Sequence, residues 1–370
     1  MTKDSMTKRE RVELALNYRE ADRVPIFDLF HNKAATEHYS GVKFNKKYTI
    51  VEIGKAIDKM YDLVRGVDKE YPYTPIVEEL ENGFVKKRNT YTSWYIKRPF
   101  ENTSQLKNFL KKEIERIEKS NPWEMWSFWG RTLINDSYKE DFLKTQEHIG
   151  DTVLFHTPSA IGLDIAYHRA SLELFTYAYM DYPELVSDYM DTLNRHEIER
   201  VKYISRYDLY SMSPVALVFC DLAYKNGLMF SPEFLRKELI PRAKKLVATW
   251  HEYGVKCIFH SDGDYRPILD DLIGAGYDGI HSMEPLAGWD MGEIKKKYPK
   301  LVLVGNIDIS QLLPNGSRQE VIEAVKKAID DAGEGGGYIM ASCSEIHDEC
   351  KLENIIAMLE TTWEYGRYDR

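Results

Sequence analysis

The segment KCIFH at residues 256–260 decides the fold prediction, because it is an apolar run that ends in a residue able to do chemistry. Five further segments from residue 150 onward share this form, and amphipathic stretches of helical length alternate with them. These segments cover residues 152–156, 214–221, 279–284, 301–306 and 337–343. Near-continuous apolar strands that alternate with helices predict a parallel sheet covered on both faces.

The N-terminal part of the chain completes the strand count. A strand is predicted near Val24, within residues 22–28, and one less visible strand lies between it and residue 150. About eight strands favour a closed (β/α)8 barrel over an open, doubly wound sheet. No Gly-x-Gly-x-x-Gly motif follows an early strand, so the sequence lacks the dinucleotide fingerprint. We therefore predict one α/β domain over residues 1–370, a TIM barrel.

An insertion decorates this predicted barrel at about residues 70–120. Residues 70–103 contain alternating segments with turn residues nearby, which predicts a β-hairpin or meander. Residues 104–120 are rich in lysine and glutamate with a helical period. At the N-terminus, residues 5–20 predict a helix for which Ser5 is the candidate cap.

Composition excludes several classes of partner. The net charge of −9 argues against a broad nucleic-acid surface, which needs clustered basic charge. No apolar run reaches the roughly 18 residues of a membrane span, and the charged N-terminus is not a signal peptide. The four cysteines are sparse, which predicts reduced thiols in a cytoplasmic protein. A homodimer is left open.

In a parallel barrel, functional groups gather at the C-terminal ends of the strands. Several predicted strands here end in, or are followed by, a reactive or polar side chain. These residues are His156, Asp221, His260 with Asp262, Glu284, Asn306 with Asp308, and Cys343. The alternative is that they are loop residues that bond to caps and turns.

A metal site is the sharpest hypothesis within this set. His260, Asp262, Glu284 and Cys343 supply imidazole, carboxylate and thiolate groups, which are all good Zn²⁺ ligands. Neighbouring strands lie close enough for their terminal side chains to meet. The alternative is a capping aspartate, a core histidine and a buried cysteine without a metal.

Motifs in the C-terminal half resemble the uroporphyrinogen decarboxylase-like superfamily. The resemblance covers about residues 150–368 and is carried by DLAYKNGLMFSPEF at 221–234, FHSDGD at 259–264, GNID at 305–308 and GGYIMASC at 336–343. This superfamily holds the decarboxylase itself, the zinc methyltransferases of methyl-corrinoid pathways and cobalamin-independent methionine synthase. The resemblance implies a barrel with its site at the ends of the later strands.

The resemblance also implies a ligand set. The zinc methyltransferases carry His-x-Cys at one strand end and a later Cys, and methionine synthase adds a Glu between them. The matching positions here imply zinc bound by His260, Glu284 and Cys343. Asp262 stands where the relatives have the middle Cys, and it either binds metal or acts as a general acid.

The predicted activity is methyl transfer. We expect a zinc-dependent methyltransferase that moves a methyl group between a small O- or N-methyl compound and a corrinoid. The sequence lacks the Asp-x-His-x-x-Gly corrinoid motif, so the corrinoid is expected on a partner protein. Asp262, Asp221 and His156 are the candidate catalytic residues, and Asn306 and Asp308 the candidate cofactor-binding residues.

Two alternatives remain open. The first is a cofactor-free decarboxylase of a porphyrin-like or other acidic substrate, with Asp221 or Asp28 orienting the acid. Against it, residues 29–33 (LFHNK) contain no arginine where the decarboxylase has an arginine-rich stretch. The second is a non-catalytic barrel that only binds a ligand or a corrinoid protein.

Overall fold

A computed structural model describes residues 4–90, 92–127, 130–132 and 137–369 as a mixed α/β protein. The strands, in chain order, are β1 (Phe27–Asp28), β2 (Phe30–His31), β3 (Tyr48–Thr49), β4 (Leu63–Val64), β5 (Glu70–Tyr71), β6 (Ile76–Glu79), β7 (Val85–Arg88), β8 (Ser93–Lys97), β9 (Met125–Ser127), β10 (Gly130–Thr132), β11 (Val153–Leu154), β12 (His156–Ala160), β13 (Val215–Phe219), β14 (Ala223–Tyr224), β15 (Gly227–Leu228), β16 (Lys256–Ser261), β17 (Gly279–Ser282), β18 (Val302–Ile307), β19 (Tyr338–Ser342) and β20 (Ile346–His347).

The helices alternate with these strands. They are α1 (Lys8–Leu16), α2 (Lys33–Ser40), α3 (Ile50–Met60), α4 (Thr103–Glu118), α5 (Tyr138–His148), α6 (Leu163–Ala170), α7 (Leu172–Asp181), α8 (Pro183–Ile204), α9 (Leu209–Met212), α10 (Pro232–Glu238), α11 (Ile240–His251), α12 (Leu269–Ala275), α13 (Met291–Lys297), α14 (Leu312–Asn315), α15 (Arg318–Ala332) and α16 (Leu352–Tyr365). Short 3-10 helices cover Glu81–Gly83, Arg266–Ile268 and Pro285–Ala287.

Parallel pairing runs through the chain in sequence order. One sheet has the order β1-β4-β11, and a six-stranded sheet has the order β12-β13-β16-β17-β18-β19. A single residue, Phe155, separates β11 from β12 and donates its N–H to the carbonyl of Val64 at 2.9 Å. At the other end, Ile26 forms a parallel bridge with Met340 beside β1. The last strand of the series therefore pairs next to the first.

The two faces of this sheet bury different sets of residues. Val215 and Leu217 of β13 pack with Phe27 and Ile258 in a cluster formed largely by strand residues. The alternate residue Ala216 instead packs in the larger cluster that contains the helices. Side chains of a strand alternate between faces, so near-continuous apolar strands fill both clusters. Complete burial stabilises each large aliphatic side chain by roughly 1.5–3 kcal/mol.

The secondary structure of residues 70–120 matches its prediction. Strands β6, β7 and β8 form an antiparallel meander, with Val77 opposite Lys87 and Lys87 opposite Trp94. Helix α4 follows directly, as the lysine- and glutamate-rich pattern predicts. Against prediction, Ser5 does not cap the N-terminal helix. Thr7 does so in a capping box with Glu10, because the helix begins only at Lys8.

The cysteines agree with the prediction of reduced thiols. All four cysteines are free and buried. Across the part of the chain that the structure describes, none of the helices is both long enough and apolar enough to cross a membrane.

Candidate active site

Three neighbouring strands bring a polar cluster together. Phe219 of β13 lies opposite His260 of β16, which in turn lies opposite His281 of β17. Asp221 follows β13 by two residues, and Asp262 directly follows β16. Because the strands are parallel and in register, their C-terminal ends place two carboxylates beside one imidazole.

The carboxylates and the imidazole lie within reach of a single ion. Nε2 of His260 is 3.9 Å from Oδ1 of Asp221 and 3.9 Å from Oδ1 of Asp262. One ligand atom from each of these residues lies within 4.8 Å of the others. His260 is 8% exposed, and both carboxylates are half-buried. A nitrogen and two carboxylate oxygens form a donor set that suits Zn²⁺ and harder divalent cations.

A second histidine sets the tautomer of the first. The Nδ1 atoms of His260 and His281 are 2.7 Å apart, and Nε2 of His281 is 3.3 Å from the carbonyl oxygen of Ser342. Burial, together with the charge of His260, lowers the pKa of His281 well below its ordinary value, so this ring is neutral. His281 donates to the carbonyl and accepts at Nδ1. His260 therefore donates from Nδ1, which leaves the lone pair of its Nε2 facing the carboxylates.

Asp262 is held in an environment that favours its protonated form. The hydroxyl of Ser282 donates to its Oδ1 at 3.2 Å. Burial raises the pKa of Asp262 to about 6, and the charges of Asp221 and Glu284 act in the same direction, although the charge of His260 and the Ser282 hydrogen bond oppose the shift. A carboxyl group in this range changes its protonation state readily when a cation approaches.

The other two predicted metal ligands lie beside this cluster. Oε1 of Glu284 accepts the N–H of Gly263 at 2.8 Å. Cys343 is 1% exposed, and burial, with the charges of Glu284 and Asp262 nearby, raises the pKa of its thiol well above its usual value. Within the described ranges, the group with mutually close ligand atoms contains Asp221, His260 and Asp262, and it contains neither Glu284 nor Cys343.

The predicted position of His156 is wrong. It is the first residue of β12, and not the last residue of a strand. Its Nδ1 is 2.8 Å from the hydroxyl of Tyr138, its Nε2 is 2.9 Å from the carbonyl of Leu209, and its ring stacks on Trp250. Burial lowers the pKa of His156 to about 4. A neutral, fully hydrogen-bonded ring under a helix has a structural role.

Asn306 and Asp308 lie at a different cavity. Both line a space of about 220 Å³, apart from the cavities that border His260. The side chain of Asn306 donates to the carbonyl of Met283 at 2.9 Å. Asp308 accepts three backbone N–H groups, from Ser310, Gln311 and Leu312. These bonds fix the loop after β18.

Two cavities border the polar cluster. One, of about 560 Å³, is lined by Asp221, Asp262 and Glu284 together with cationic side chains that include Arg98. The other, of about 870 Å³, is lined by Asp221, His260 and mostly apolar side chains. Both volumes suit small organic ligands. Asp221 lines both cavities.

A family model described as uroporphyrinogen decarboxylase (URO-D) matches residues 173–365, more than half of the chain. The chain belongs to the uroporphyrinogen decarboxylase family. The matched region contains Asp221, His260, Asp262, Glu284 and Cys343, so the polar cluster lies in the part of the chain that defines this membership.

Two known proteins are similar to this uroporphyrinogen decarboxylase family member. The methylcobamide:CoM methyltransferase MtbA of Methanosarcina acetivorans is 28% identical over 111 residues, which are 30% of this chain and 31% of that protein. The match therefore spans about a third of the relative's length. A solved methyltransferase structure from Methanosarcina mazei superposes with a TM-score of 0.67 at 16% identity, over 98% of this chain and 99% of that one. At this identity the likeness shows a shared fold.

Sequence reasoning missed three residues of the site in this family member. The sequence gives a signal for His281, because this residue is a polar side chain within the predicted strand segment 279–284. It lies two residues after Gly279, and residues two apart in a strand lie on the same face. Asp164 and Arg65 carry no comparable signal. Asp164 lies near the start of α6, where it is fully buried, and Arg65 follows the two-residue strand β4.

Proposed function

We propose that this uroporphyrinogen decarboxylase family member is a metal-dependent methyltransferase. In this proposal it moves a methyl group between a small O- or N-methyl compound and a corrinoid carried by a partner protein. The observation that carries the proposal is the Asp221, His260 and Asp262 cluster at adjacent strand ends, with a cavity on either side. The similarity to a methyltransferase named for methylcobamide and CoM supports it.

The proposed scaffold is a single closed (β/α)8 barrel over residues 1–370, with the insertion at about 70–120. Support comes from the parallel bridge between Ile26 and Met340 and from the N–H of Met340, which donates to the carbonyl of Pro25 at 2.9 Å. The strand-lined cluster around Phe27 and Ile258 would then be the barrel interior. His260 and His281 would stand on top of it.

The residues present fit a divalent metal ion. His260, Asp221 and Asp262 would hold it, and Glu284 and Cys343 are the further candidate ligands. When bound, the ion would supply a Lewis acid that polarises the heteroatom carrying the methyl group. A high thiol pKa does not exclude Cys343, since metal coordination deprotonates a thiol.

The chain's own residues have separate tasks in this proposal. His281 keeps the Nε2 lone pair of His260 directed at the site. Ser282 fixes the orientation of Asp262 through its hydroxyl. The larger, mostly apolar cavity would hold the methyl donor away from bulk water, and the cavity beside Asp262 would face the partner's corrinoid. As the bond between the donor's heteroatom and its methyl group breaks, the methyl group would pass to the partner's corrinoid, and the heteroatom would take up a proton from water that enters as the product leaves.

Metal content and methyl transfer measured on one preparation test the proposal. The purified chain, with methoxy or methylamine donors and reduced cobalamin in place of the partner, is expected to give methylcobalamin, which absorbance detects. Wild type should retain about one divalent ion, and His260→Ala should lose the ion and the activity. Full activity without a metal, or conversion of uroporphyrinogen in place of methyl transfer, contradicts the proposal.

The same preparation distinguishes the two ligand sets. If Asp221 and Asp262 bind the ion, Asp262→Asn should weaken metal binding by at least about tenfold, as expected for the loss of a ligand. If Glu284 and Cys343 bind the ion instead, Glu284→Gln and Cys343→Ser should each weaken metal binding to a similar extent. Thermal melting of each variant separates the loss of metal from the loss of the fold.

A further inference from the structure

The larger cavity beside the cluster has apolar walls and several polar and charged side chains at its edges. It measures about 870 Å³. Its apolar lining residues are Leu29, Phe30, Ile53, Ile57, Val67, Met125, Trp126, Ile165 and Phe219. Asp221 and His260 line the same cavity, and Arg65 and Lys69 line it as well. The cavity therefore pairs apolar walls with a guanidinium and with the polar cluster.

The carboxylates near Arg65 are already engaged by other side chains. Oδ1 of Asp68 accepts the hydroxyl of Tyr73 at 2.6 Å, and its Oδ2 bonds to Nε2 of His31. Oε1 of Glu345 is 2.9 Å from Nδ1 of the same histidine. These two carboxylates hold His31 in its cationic form, with its pKa raised to about 9 although burial opposes this. They form a satisfied network beside Arg65.

Arg65 has no side-chain partner in the part of the chain that the structure describes. Among the described residues, its guanidinium makes no hydrogen bond and no ion pair within 4 Å. Burial lowers the pKa of Arg65 although Glu345, Asp68 and Asp221 oppose this, so the nearby carboxylates do not offset its desolvation. By contrast, Arg98 at the smaller cavity donates to the carbonyls of Arg169 and His168. A half-buried guanidinium with free donors is a binding site for a planar anion.

The same wall holds another unsatisfied atom. Oδ2 of Asp164 is buried and has no hydrogen-bond partner in the described part of the chain, and Asp164 lines the same cavity. Buried polar atoms are normally paired, so this atom and the half-buried guanidinium of Arg65 at one cavity indicate a ligand with polar ends.

We propose that Arg65 binds a carboxylate of the methyl donor, whose apolar body fills this cavity between Arg65 and the Asp221–His260 cluster. The inference rests on the proposed function for the identity of the ligand as a methyl donor. Arg65 follows β4, and Asp221 follows β13. The β11–β12 segment lies between these two strands, so β4 and β13 are two strand positions apart, which is roughly 10 Å at the usual spacing between strands. A single ring with a carboxylate at one end and a methoxy group at the other spans such a distance.

A matched pair of probes tests this subsite without catalysis. 4-Methoxybenzoate and the uncharged 4-methoxybenzamide have nearly the same shape, and calorimetric titration into the purified full chain measures both affinities. Wild type is expected to bind the carboxylate at least about tenfold more tightly than the amide. Arg65→Gln should weaken carboxylate binding by about 10- to 100-fold and leave amide binding within about twofold.

Two further variants keep the test specific. Lys69→Gln removes the same charge from an exposed residue of the same cavity, and it should change carboxylate affinity by less than about twofold, because an exposed charge is screened. Arg65→Lys keeps the charge without the planar fork, and it should lie between wild type and Arg65→Gln. Thermal melting checks that each variant is folded.

The outcomes separate this inference from the proposed function. Three results would each overturn the role of Arg65: equal binding of the two probes to wild type, no binding of either probe, or unchanged carboxylate binding by Arg65→Gln. In each case, methyl transfer from other donors can still be measured. Arg65-dependent carboxylate binding without methyl transfer from any donor supports the subsite and contradicts the proposed function.

Discussion

At the scale of single residues, the pair formed by His260 and His281 decides what the site presents to a ligand. His281 is 1% exposed and does not line either cavity beside the cluster. It acts through His260, whose proton it holds on Nδ1 through the 2.7 Å contact. His281 is therefore a positioning residue, and its loss should alter metal binding more than folding.

The variant His281→Phe tests this role. It keeps a ring in the buried position but removes the acceptor for His260, so the affinity for Zn²⁺ is expected to fall by about 10- to 100-fold. Competition with a chromogenic chelator measures this affinity. His281→Gln, which retains an acceptor oxygen, should recover part of the loss. If His281→Phe and wild type bind Zn²⁺ with equal affinity, a group other than His281 sets the tautomer of His260.

At the scale of elements, a buried ion-pair network attaches α1 to the strands. Nε of Arg11 is 2.7 Å from Asp22, and its Nη1 is 2.6 Å from Asp62. Arg23 also pairs with Asp62, at 2.7 Å. Asp62 directly precedes β4, so one carboxylate joins the helix, the segment before β1 and the second strand. Each of these four charges depends on the others, because all of them are buried.

The variant Arg11→Met is expected to lower the free energy of unfolding by about 3–5 kcal/mol, because it leaves Asp22 buried without its guanidinium partner and Asp62 with Arg23 alone. Urea denaturation measures the change. The control is Arg318→Met, which removes an exposed ion pair with Glu360 and should cost at most about 1 kcal/mol. Similar values for the two variants would mean that the buried network contributes no more than a surface pair.

At the scale of the whole molecule, one carboxyl group joins β1 and β19, the two ends of the parallel series. Asp28 of β1 accepts the N–H of Ser342 at 2.9 Å and its hydroxyl at 2.7 Å. Burial raises the pKa of Asp28 to about 7, although these hydrogen bonds oppose the shift. The folded protein thus holds a proton on Asp28 in a pH range where the unfolded chain has lost it.

This shift predicts a pH dependence of stability. The stabilisation from protonated Asp28 is complete below the unfolded pKa, about 4, and is lost as pH rises through about 7. Asp28→Asn does not titrate, so its stability relative to wild type should improve between about pH 5 and about pH 8. Urea denaturation at both pH values measures the difference. The exposed control Asp188→Asn should show no such trend, and a flat difference for Asp28→Asn contradicts the prediction.

The sequence by itself determined the order of strands and helices and the position of the cluster. Six apolar segments with reactive or polar ends were visible because a parallel strand buried on both faces needs a continuous apolar run. That pattern also identified Asp221, His260 and Asp262, since each follows or ends such a run. The meander at 76–97 was equally visible, because its alternation is local.

Only the tertiary structure decided which side chains are partners. Strand β4 has two residues, too few for any periodic signal, so Arg65 and its cavity could not be located from the sequence. His156 seemed to end a strand, but pairing with β13 places it at the start of one, under Trp250. The physical reason is that local patterns fix faces and strand ends, whereas partners depend on register and on contacts between residues far apart in the chain.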